Sequence, residues 1–216
     1  MRYAVYYCPA ADSELAAFGR EWLATACIPG IAPGRFNSLL AAVRRYGWHA
    51  TIVAPGALVD GVGYDAFRQR VVDIAHQSAP FLLSLRLKRL AGFLALRPST
   101  DTGSMSALAE RCVRSLAPLR APLDASAWQR RATGLDEVEL ALFRQFGYPY
   151  VLDRYRFHMT LSAPADSIEE QALREWLSPR LASLHGAHID ALTLCREREP
   201  GAAFEPVERV PLGRTT

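Results

Sequence analysis

A ten-residue pattern occurs twice in this chain of 216 residues and constrains its fold more than any other feature. The segments YGWHATIVAP (46–55) and YRFHMTLSAP (155–164) agree at Tyr, His, Thr, Ala and Pro. When the His and Thr that anchor the comparison are set aside, three identities remain among eight positions. Two unrelated segments of average composition would share fewer than about one identity over eight positions. A repeat of this kind predicts two similar lobes related by an approximate twofold axis.

The order of the elements around the two segments also repeats. Hydrophobic periodicity and turn residues predict β-α-β-α-β in each half, with a further strand at the end of the chain. Predicted strands cover 2–8, 46–54, 81–87, 92–96, 155–163, 188–194 and 204–210, and predicted helices cover about 12–25, 38–45, 64–77, 104–116 and 167–183. Ser167 and Glu170 have the spacing of a capping box at the start of the last helix. No flexible linker separates the halves, so we expect one fused body.

The repeated histidines and threonines form a set of groups suited to opening a phosphodiester. Residues two apart in a strand project to the same face, so His49 projects with Thr51, and His158 with Thr160. A twofold axis that places the two strands side by side would gather these side chains around a single cleft. One neutral imidazole could then remove a proton from water or a ribose hydroxyl, while the other, as imidazolium, protonates the leaving alkoxide. The threonine hydroxyls could donate hydrogen bonds to the non-bridging oxygens.

Histidine suits both roles because its ordinary pKa lies near neutrality. We therefore expect a bell-shaped pH dependence with both limbs near neutrality. Which histidine is the base and which is the acid stays open, since their contexts are alike.

The same alternation along the strands selects candidate substrate-binding residues. Arg156 shares the parity of His158 and is the first candidate for a phosphate clamp, because a guanidinium binds two oxygens at once. Arg45 is the second, provided that the first strand begins early enough. Tyr46 and Tyr155 have the opposite parity, yet they could reach round the strand ends.

Simpler interpretations apply to the other candidate groups. A single H-x-T segment would have little value, and only the two matched copies favour function. His76, His185 and His188 have no such context and are interpreted as structural. Arg86, Lys88 and Arg89 are better explained as a solvated strand end than as a phosphate patch.

Several classes of function are disfavoured by the composition and by missing motifs. The four cysteines are scattered without a C-x-x-C pair, and one imidazole beside a threonine is not a zinc or iron ligand set, so no metal or cofactor is expected. There is no G-x-S-x-G elbow and no P-loop G-x-x-x-x-G-K. No apolar run is long enough for a membrane span, and the amino terminus turns acidic too soon for a signal peptide, so a cytoplasmic monomer is expected.

The paired segments His49-Ala-Thr51-Ile and His158-Met-Thr160-Leu resemble the two-histidine (2H) phosphoesterase superfamily. Within it, YGWHATIVAP and GFLALRPS are most similar to a bacterial branch associated with phosphonate-utilisation operons. The resemblance implies a catalytic quartet of His49, Thr51, His158 and Thr160, no metal requirement, and cyclic phosphates or 2′,5′ linkages as substrates. For the phosphonate branch it implies a ribose cyclic phosphate.

Together, the repeat and the resemblance predict an α+β fold of two pseudo-twofold-related lobes around a central cleft. Each lobe would consist of antiparallel sheet with helices on its outer face. The predicted lobes are residues 1–91 and 92–216, and an insert at about 118–152, with its charged segment RRATGLDEVE, could cover or extend the cleft.

The predicted function is a metal-independent phosphodiesterase that opens a cyclic phosphate on a small sugar or nucleotide. One alternative is an enzyme acting on RNA ends, as a 2′,5′-ligase or cyclic phosphodiesterase. The net charge of +3 and the lack of an interleaved basic–aromatic stripe disfavour it. The other alternative is a non-catalytic module that binds a phosphorylated ligand, which the presence of both histidines and both threonines disfavours.

Overall fold

The computed structural model of the chain describes residues 1–100, 102–123, 125–199 and 201–213, without the side chains of 125–127 and 130. One position of the predicted insert, residue 124, lies outside the described residues. Within them the fold is mixed α/β with antiparallel sheets. The strands are β1 (Arg2–Tyr7), β2 (Ala50–Gly56), β3 (Phe81–Leu83), β4 (Leu85–Leu90), β5 (Phe93–Pro98), β6 (Met159–Thr160), β7 (Ala187–Ile189), β8 (Ala191–Glu197) and β9 (Glu205–Pro211). The α-helices are α1 (Glu14–Ala24), α2 (Pro33–Tyr46), α3 (Tyr64–His76), α4 (Gly103–Leu116), α5 (Ala125–Ala132), α6 (Glu137–Phe146) and α7 (Ser167–Leu181).

The main sheet has seven strands in the order β4-β5-β6-β2-β1-β8-β9, and β3 and β7 form a separate two-stranded sheet. The two strands that carry the repeated motif, β2 and β6, are therefore neighbours at the centre of the main sheet. They run antiparallel, with Ala50 opposite Met159. The sheet is continuous across the predicted lobe boundary, because β4 and β5 on either side of it form a hairpin. The division into lobes stays a prediction.

Helices α3 and α4 lie against one face of the main sheet and contact β2, β8 and β9. Ala50, Ile52 and Met159 are buried in this core together with Met105 and Leu108 of α4. Because strand residues alternate between faces, His49, Thr51, His158 and Thr160 project from the opposite face. Burying each large apolar side chain contributes roughly 1.5–3 kcal/mol, so the apolar residues of β2 and β6 determine which face carries the motif side chains.

Arg45 lies in a helix, as predicted, but the same helix also includes Tyr46, so the predicted strand over 46–54 is wrong at its start. Helix α2 begins at Pro33, whose ring suits the first helical turn, and continues through Tyr46. It ends where Gly47 adopts a φ of 75° and donates its backbone N–H to the Val43 carbonyl. The strand then begins only at Ala50.

The second motif strand is also shorter than predicted. In place of a strand over 155–163, only Met159–Thr160 is extended and paired, and it follows a 3₁₀ turn at Leu152–Arg154. The chain beyond it stays attached to β5, because the Leu161 N–H donates to the Leu94 carbonyl at 2.8 Å.

The capping box of α7 lies one residue earlier than predicted. Asp166, not Ser167, accepts hydrogen bonds from the backbone N–H groups of Ile168 and Glu169, and Glu169 completes the box. Glu170 instead pairs with Arg89 at 3.0 Å and with Arg174 at 2.7 Å. One of the three basic residues at 86, 88 and 89, Arg89, is therefore neutralised by an ion pair.

None of the helices in the described ranges combines the length and the apolar character needed to cross a bilayer.

Trp48, the residue before His49, packs against α1. Its Nε1 donates to the Leu15 carbonyl at 3.0 Å, and a Cβ added at Gly19 would lie 2.2 Å from its ring. We expect Gly19→Ala to lower the free energy of unfolding by about 1–3 kcal/mol through overpacking. Chemical denaturation should detect the loss. Gly34→Ala in α2 is the matched control: it meets open space and should be neutral or stabilise by up to about 1 kcal/mol. Equal unfolding free energies for the two variants would contradict this packing account.

Candidate active site

The structure brings the four predicted motif residues to one place. In the antiparallel pair centred on Ala50 and Met159, one step along each strand sets His49 opposite Thr160 and Thr51 opposite His158. All four side chains line a single cleft of about 470 Å³. Residues separated by 109 positions in the sequence therefore share one cavity.

Both imidazole rings are oriented by the backbone in the same way. The Nδ1 of His49 lies 2.9 Å from the Gly47 carbonyl oxygen, and the Nδ1 of His158 lies 2.7 Å from the Arg156 carbonyl oxygen. Because a carbonyl can only accept, Nδ1 must carry the proton in each neutral ring. Nε2 then keeps a free lone pair, which a general base requires. The Nε2 of His49 lies 3.4 Å from the Thr51 hydroxyl.

Burial disfavours the protonated form of both histidines in the unliganded protein. It lowers the pKa of His49 to about 4, partly opposed by the Gly47 carbonyl and reinforced by the nearby His158. Burial also lowers the pKa of His158, partly opposed by the Arg156 carbonyl, while the charges of Arg97 and Arg156 lower it further. In the free protein the pKa values of both histidines therefore lie below the ordinary value from which the near-neutral pH dependence was expected. A bound anion would favour the imidazolium form and raise these pKa values again.

Aromatic rings hold the imidazoles in place. The ring of Tyr6 stacks on His49, with centroids 4.0 Å apart and an interplanar angle of 25°. Phe93 lies 5.8 Å from His158 by centroid distance. Sequence reasoning missed Tyr6, since its proximity depends on the β1–β2 register that pairs it with Thr51.

Arg156 and Tyr155 line an adjacent cavity of about 170 Å³, whose wall includes Thr51 and His158 of the cleft. The Arg156 guanidinium lies over the Tyr150 ring, 5.7 Å from its centroid. The Tyr155 hydroxyl donates to the Thr51 carbonyl at 3.1 Å, and burial raises the pKa of Tyr155. Tyr155 thus ties the backbone that precedes His158 to the other motif strand.

Tyr46 lines the cleft with its ring centroid 6.4 Å from that of His49, whereas Arg45 is directed elsewhere. The Arg45 guanidinium lies over the Tyr46 ring and pairs with Glu197 at 3.3 Å. The condition for its role as a phosphate clamp, an early start of the first motif strand, is not met, because α2 extends through Tyr46 and β2 begins only at Ala50. Arg2, which sequence reasoning missed, lines the cleft instead and is also paired with Glu197.

The predicted insert supplies a wall of the cleft. Its contributions are Arg131, Thr133, Leu135, Tyr148, Pro149 and Tyr150. Asp136 and Glu139 form a capping box at the start of α6, and Trp128 stacks on Phe143 to join α5 to α6. In the described part of the chain, no group of three or more His, Cys, Asp or Glu side chains is arranged to hold a metal ion.

The lowered pKa values can be measured directly. In an NMR titration of the unliganded protein, we expect the His49 imidazole to titrate near 4 and that of His158 below the usual histidine value. Adding inorganic phosphate should shift both midpoints towards higher pH, because an anion in the cleft stabilises the charged ring. Titration of either ring at or above the usual value without phosphate would contradict the burial account.

Comparison with known proteins places the chain among relatives. The family model described as "Protein of unknown function (DUF1045)" matches residues 51–205, which include Thr51 and the whole second motif. A protein named "Ribose 1,5-bisphosphate phosphokinase PhnN" from Janthinobacterium sp. (strain Marseille) is 38% identical over 229 residues, covering 97% of this chain and 50% of that protein. A protein of the same name from Laribacter hongkongensis (strain HLHK9) is 36% identical over 214 residues, covering 94% of this chain and 50% of that protein. The chain spans about half the length of these curated relatives. Because the family model covers more than half of its residues, the chain belongs to the DUF1045 family.

Proposed function

We propose that the chain is a metal-independent phosphodiesterase of the 2H type, which opens a cyclic phosphate by general acid–base catalysis. The observation that carries the proposal is the meeting of two His-x-Thr motifs on one face of the sheet, in one cleft. The shared orientation of both rings, with Nδ1 donating to a backbone carbonyl, leaves each Nε2 unprotonated and able to accept a proton.

In the proposed reaction, Nε2 of one neutral histidine removes a proton from a water molecule as its oxygen attacks phosphorus. One P–O bond forms, and the P–O bond to a ring oxygen breaks. The second histidine, as imidazolium, donates its proton to that leaving oxygen, and the product is a phosphomonoester bearing a free hydroxyl. Thr51 and Thr160 donate hydrogen bonds to the non-bridging oxygens, where negative charge must be stabilised. The negative charge of the substrate raises the histidine pKa values and so supplies the imidazolium.

The names of the relatives support a particular substrate class. They are named as kinases of ribose 1,5-bisphosphate, and this chain, which has no P-loop, aligns with only half of each. We assign the kinase activity to the other half of those relatives. Hydrolysis of ribose 1,2-cyclic phosphate 5-phosphate at the C2 oxygen leaves one phosphate on C1 and one on C5. The product is ribose 1,5-bisphosphate, which is the substrate in the relatives' names. The half of each relative that aligns with this chain and its other half would therefore catalyse successive steps, in keeping with a role in phosphonate metabolism.

The proposal includes a two-lobed arrangement, with the lobes at residues 1–91 and 92–216. An antiparallel strand pair has a local twofold axis, which here passes between Ala50 and Met159 and exchanges His49 with His158. This local symmetry supports an equivalence of the two motifs, as the sequence repeat does.

A second candidate is an enzyme acting on a nucleotide or an RNA end. The observation that favours it is the aromatic character of the cavity beside His158, where Phe93, Tyr148, Tyr150 and Tyr155 could stack a base. A small sugar phosphate remains the first choice because of the relatives' names.

Removing either histidine should abolish most of the activity. We expect His49→Ala and His158→Ala each to lower kcat by about 10²- to 10⁴-fold, the usual contribution of a general acid or base. His76→Ala is the matched control, since His76 is exposed at the end of α3. A near-normal rate in either variant would show that the replaced histidine is not the general acid or base. A wild-type protein that binds a phosphorylated ligand but does not hydrolyse it would favour the non-catalytic module.

Phosphorus NMR can identify the substrate and test the metal requirement together. The panel comprises nucleoside 2′,3′-cyclic phosphates, ADP-ribose 1″,2″-cyclic phosphate and ribose 1,2-cyclic phosphate 5-phosphate, with and without excess EDTA. We expect a phosphomonoester resonance at an unchanged rate in EDTA, and fastest turnover of the ribose compound. Loss of turnover in EDTA that a divalent metal restores would contradict the metal-free mechanism. Preference for oligonucleotide ends would favour the RNA enzyme.

A further inference from the structure

A third cavity, of about 220 Å³, lies at the end of β5. Its polar lining consists of Arg97, Thr100, Thr102, Ser106, Tyr155 and Arg156. Tyr155 and Arg156 also line the 170 Å³ cavity, which in turn shares Thr51 and His158 with the cleft. Each cavity therefore shares wall residues with the next, among them His158 and Arg156.

Arg97 belongs to the same row of the sheet as His158. The pairing of Ala95 with Thr160 sets Arg97 laterally opposite His158, on the face that carries the motif side chains. Neighbouring strands lie about 4.7–4.9 Å apart, so the two side chains start one strand spacing from each other. The influence of the Arg97 charge on His158 agrees with this proximity.

The guanidinium of Arg97 has unused hydrogen-bonding capacity. Its Nε is buried without a hydrogen-bond partner among the described residues. Within the same residues, neither Arg97 nor Arg156 forms an ion pair, whereas the arginines at 2, 35, 68 and 89 each pair with a glutamate. A buried donor without a partner costs free energy, which an oxygen of a bound ligand would recover.

Hydroxyl groups complete a set of donors around this cavity. The side-chain oxygens of Thr102 and Ser106 lie 3.4 Å apart, and that of Thr100 lines the same space. Two guanidiniums and several hydroxyls match a phosphomonoester, which carries three terminal oxygens and close to two negative charges.

We propose that Arg97, Arg156 and these hydroxyls bind a second phosphate group of the substrate, distinct from the phosphate that reacts between the histidines. The inference rests on the proposed function, because it names another group on the same molecule. The reacting phosphate lies at His158, and the second phosphate lies beyond the cavity bounded by Arg156, so a small sugar ring spans the two. The site therefore selects a bisphosphorylated sugar over a singly phosphorylated one.

Binding of an unreactive probe tests this site without requiring turnover. Ribose 5-phosphate is titrated calorimetrically into the wild type, Arg97→Gln and Arg86→Gln, after thermal denaturation has shown that all three fold. We expect Arg97→Gln to raise Kd by about 10- to 100-fold, the usual contribution of a charge-assisted hydrogen bond. Arg86→Gln is the matched control: Arg86 is exposed directly across from Arg97 on β4, loses the same charge, and does not line the cavity. Equal losses in the two variants would reduce the effect to general electrostatics and overturn the site.

A substrate pair supplies the second readout. Adenosine 2′,3′-cyclic phosphate is compared with its 5′-phosphorylated form. The measured quantity is kcat/KM for the 5′-phosphorylated substrate divided by kcat/KM for the substrate without that phosphate. Arg97→Gln should reduce this ratio by about 10-fold or more. Any effect of the lost charge on His158 acts on both substrates and cancels in the ratio. Hydrolysis of both substrates with an unchanged ratio overturns the second-phosphate site and leaves the proposed function standing. Loss of ribose 5-phosphate binding in Arg97→Gln, without turnover of any cyclic phosphate by the wild type, overturns the proposed function and supports the anion site.

Discussion

The antiparallel contact between β2 and β6 is the interaction on which the site depends. It is short, with Ala50 opposite Met159 as its centre, and β6 itself has only two residues. The flanking strand β5 supports it through pairing with both residues of β6 and through the Leu161 N–H, while the Trp22 indole donates to the Leu161 carbonyl from the other side. Burial of Ala50 and Met159 fixes the register, because a slip of one residue would move the histidines into the core.

That contact also sets the electrostatics of the cleft. Two imidazoles at the starts of adjacent strands share a partly buried space, and desolvation lowers the pKa of both. Backbone carbonyls at Gly47 and Arg156 select the same tautomer in each ring. In the proposed reaction, this arrangement lets either ring accept a proton beside the reacting phosphate.

The surroundings of the two histidines differ, although the motifs are alike. His49 lies under Tyr6 and beside Tyr46, whereas His158 adjoins the aromatic cavity, Arg156 and Arg97. On the side of His158, cavities with shared wall residues are found as far as the end of β5. If the proposed second-phosphate site is present, a substrate with two phosphates binds in one direction only.

The sequence alone determined the features that depend on local periodicity. The alternation of apolar and polar residues around His49 and His158 predicted that each histidine would share a face with its threonine. Helical periodicity likewise located α1, α3 and α4 to within a few residues. Local signals competed at Tyr46, which the motif comparison placed in a strand and which lies in the helix that begins at Pro33.

Only the tertiary structure decided which strands became neighbours, since strand order depends on contacts between distant segments. Arg97 is 61 positions from His158 in the sequence, and its parity had no meaning until β5 paired with β6. The same holds for Tyr6, which reaches His49 through the β1–β2 register, and for the wall that the insert contributes. The sequence thus determined which faces are apolar, and the burial of those faces against one another decided which polar side chains meet.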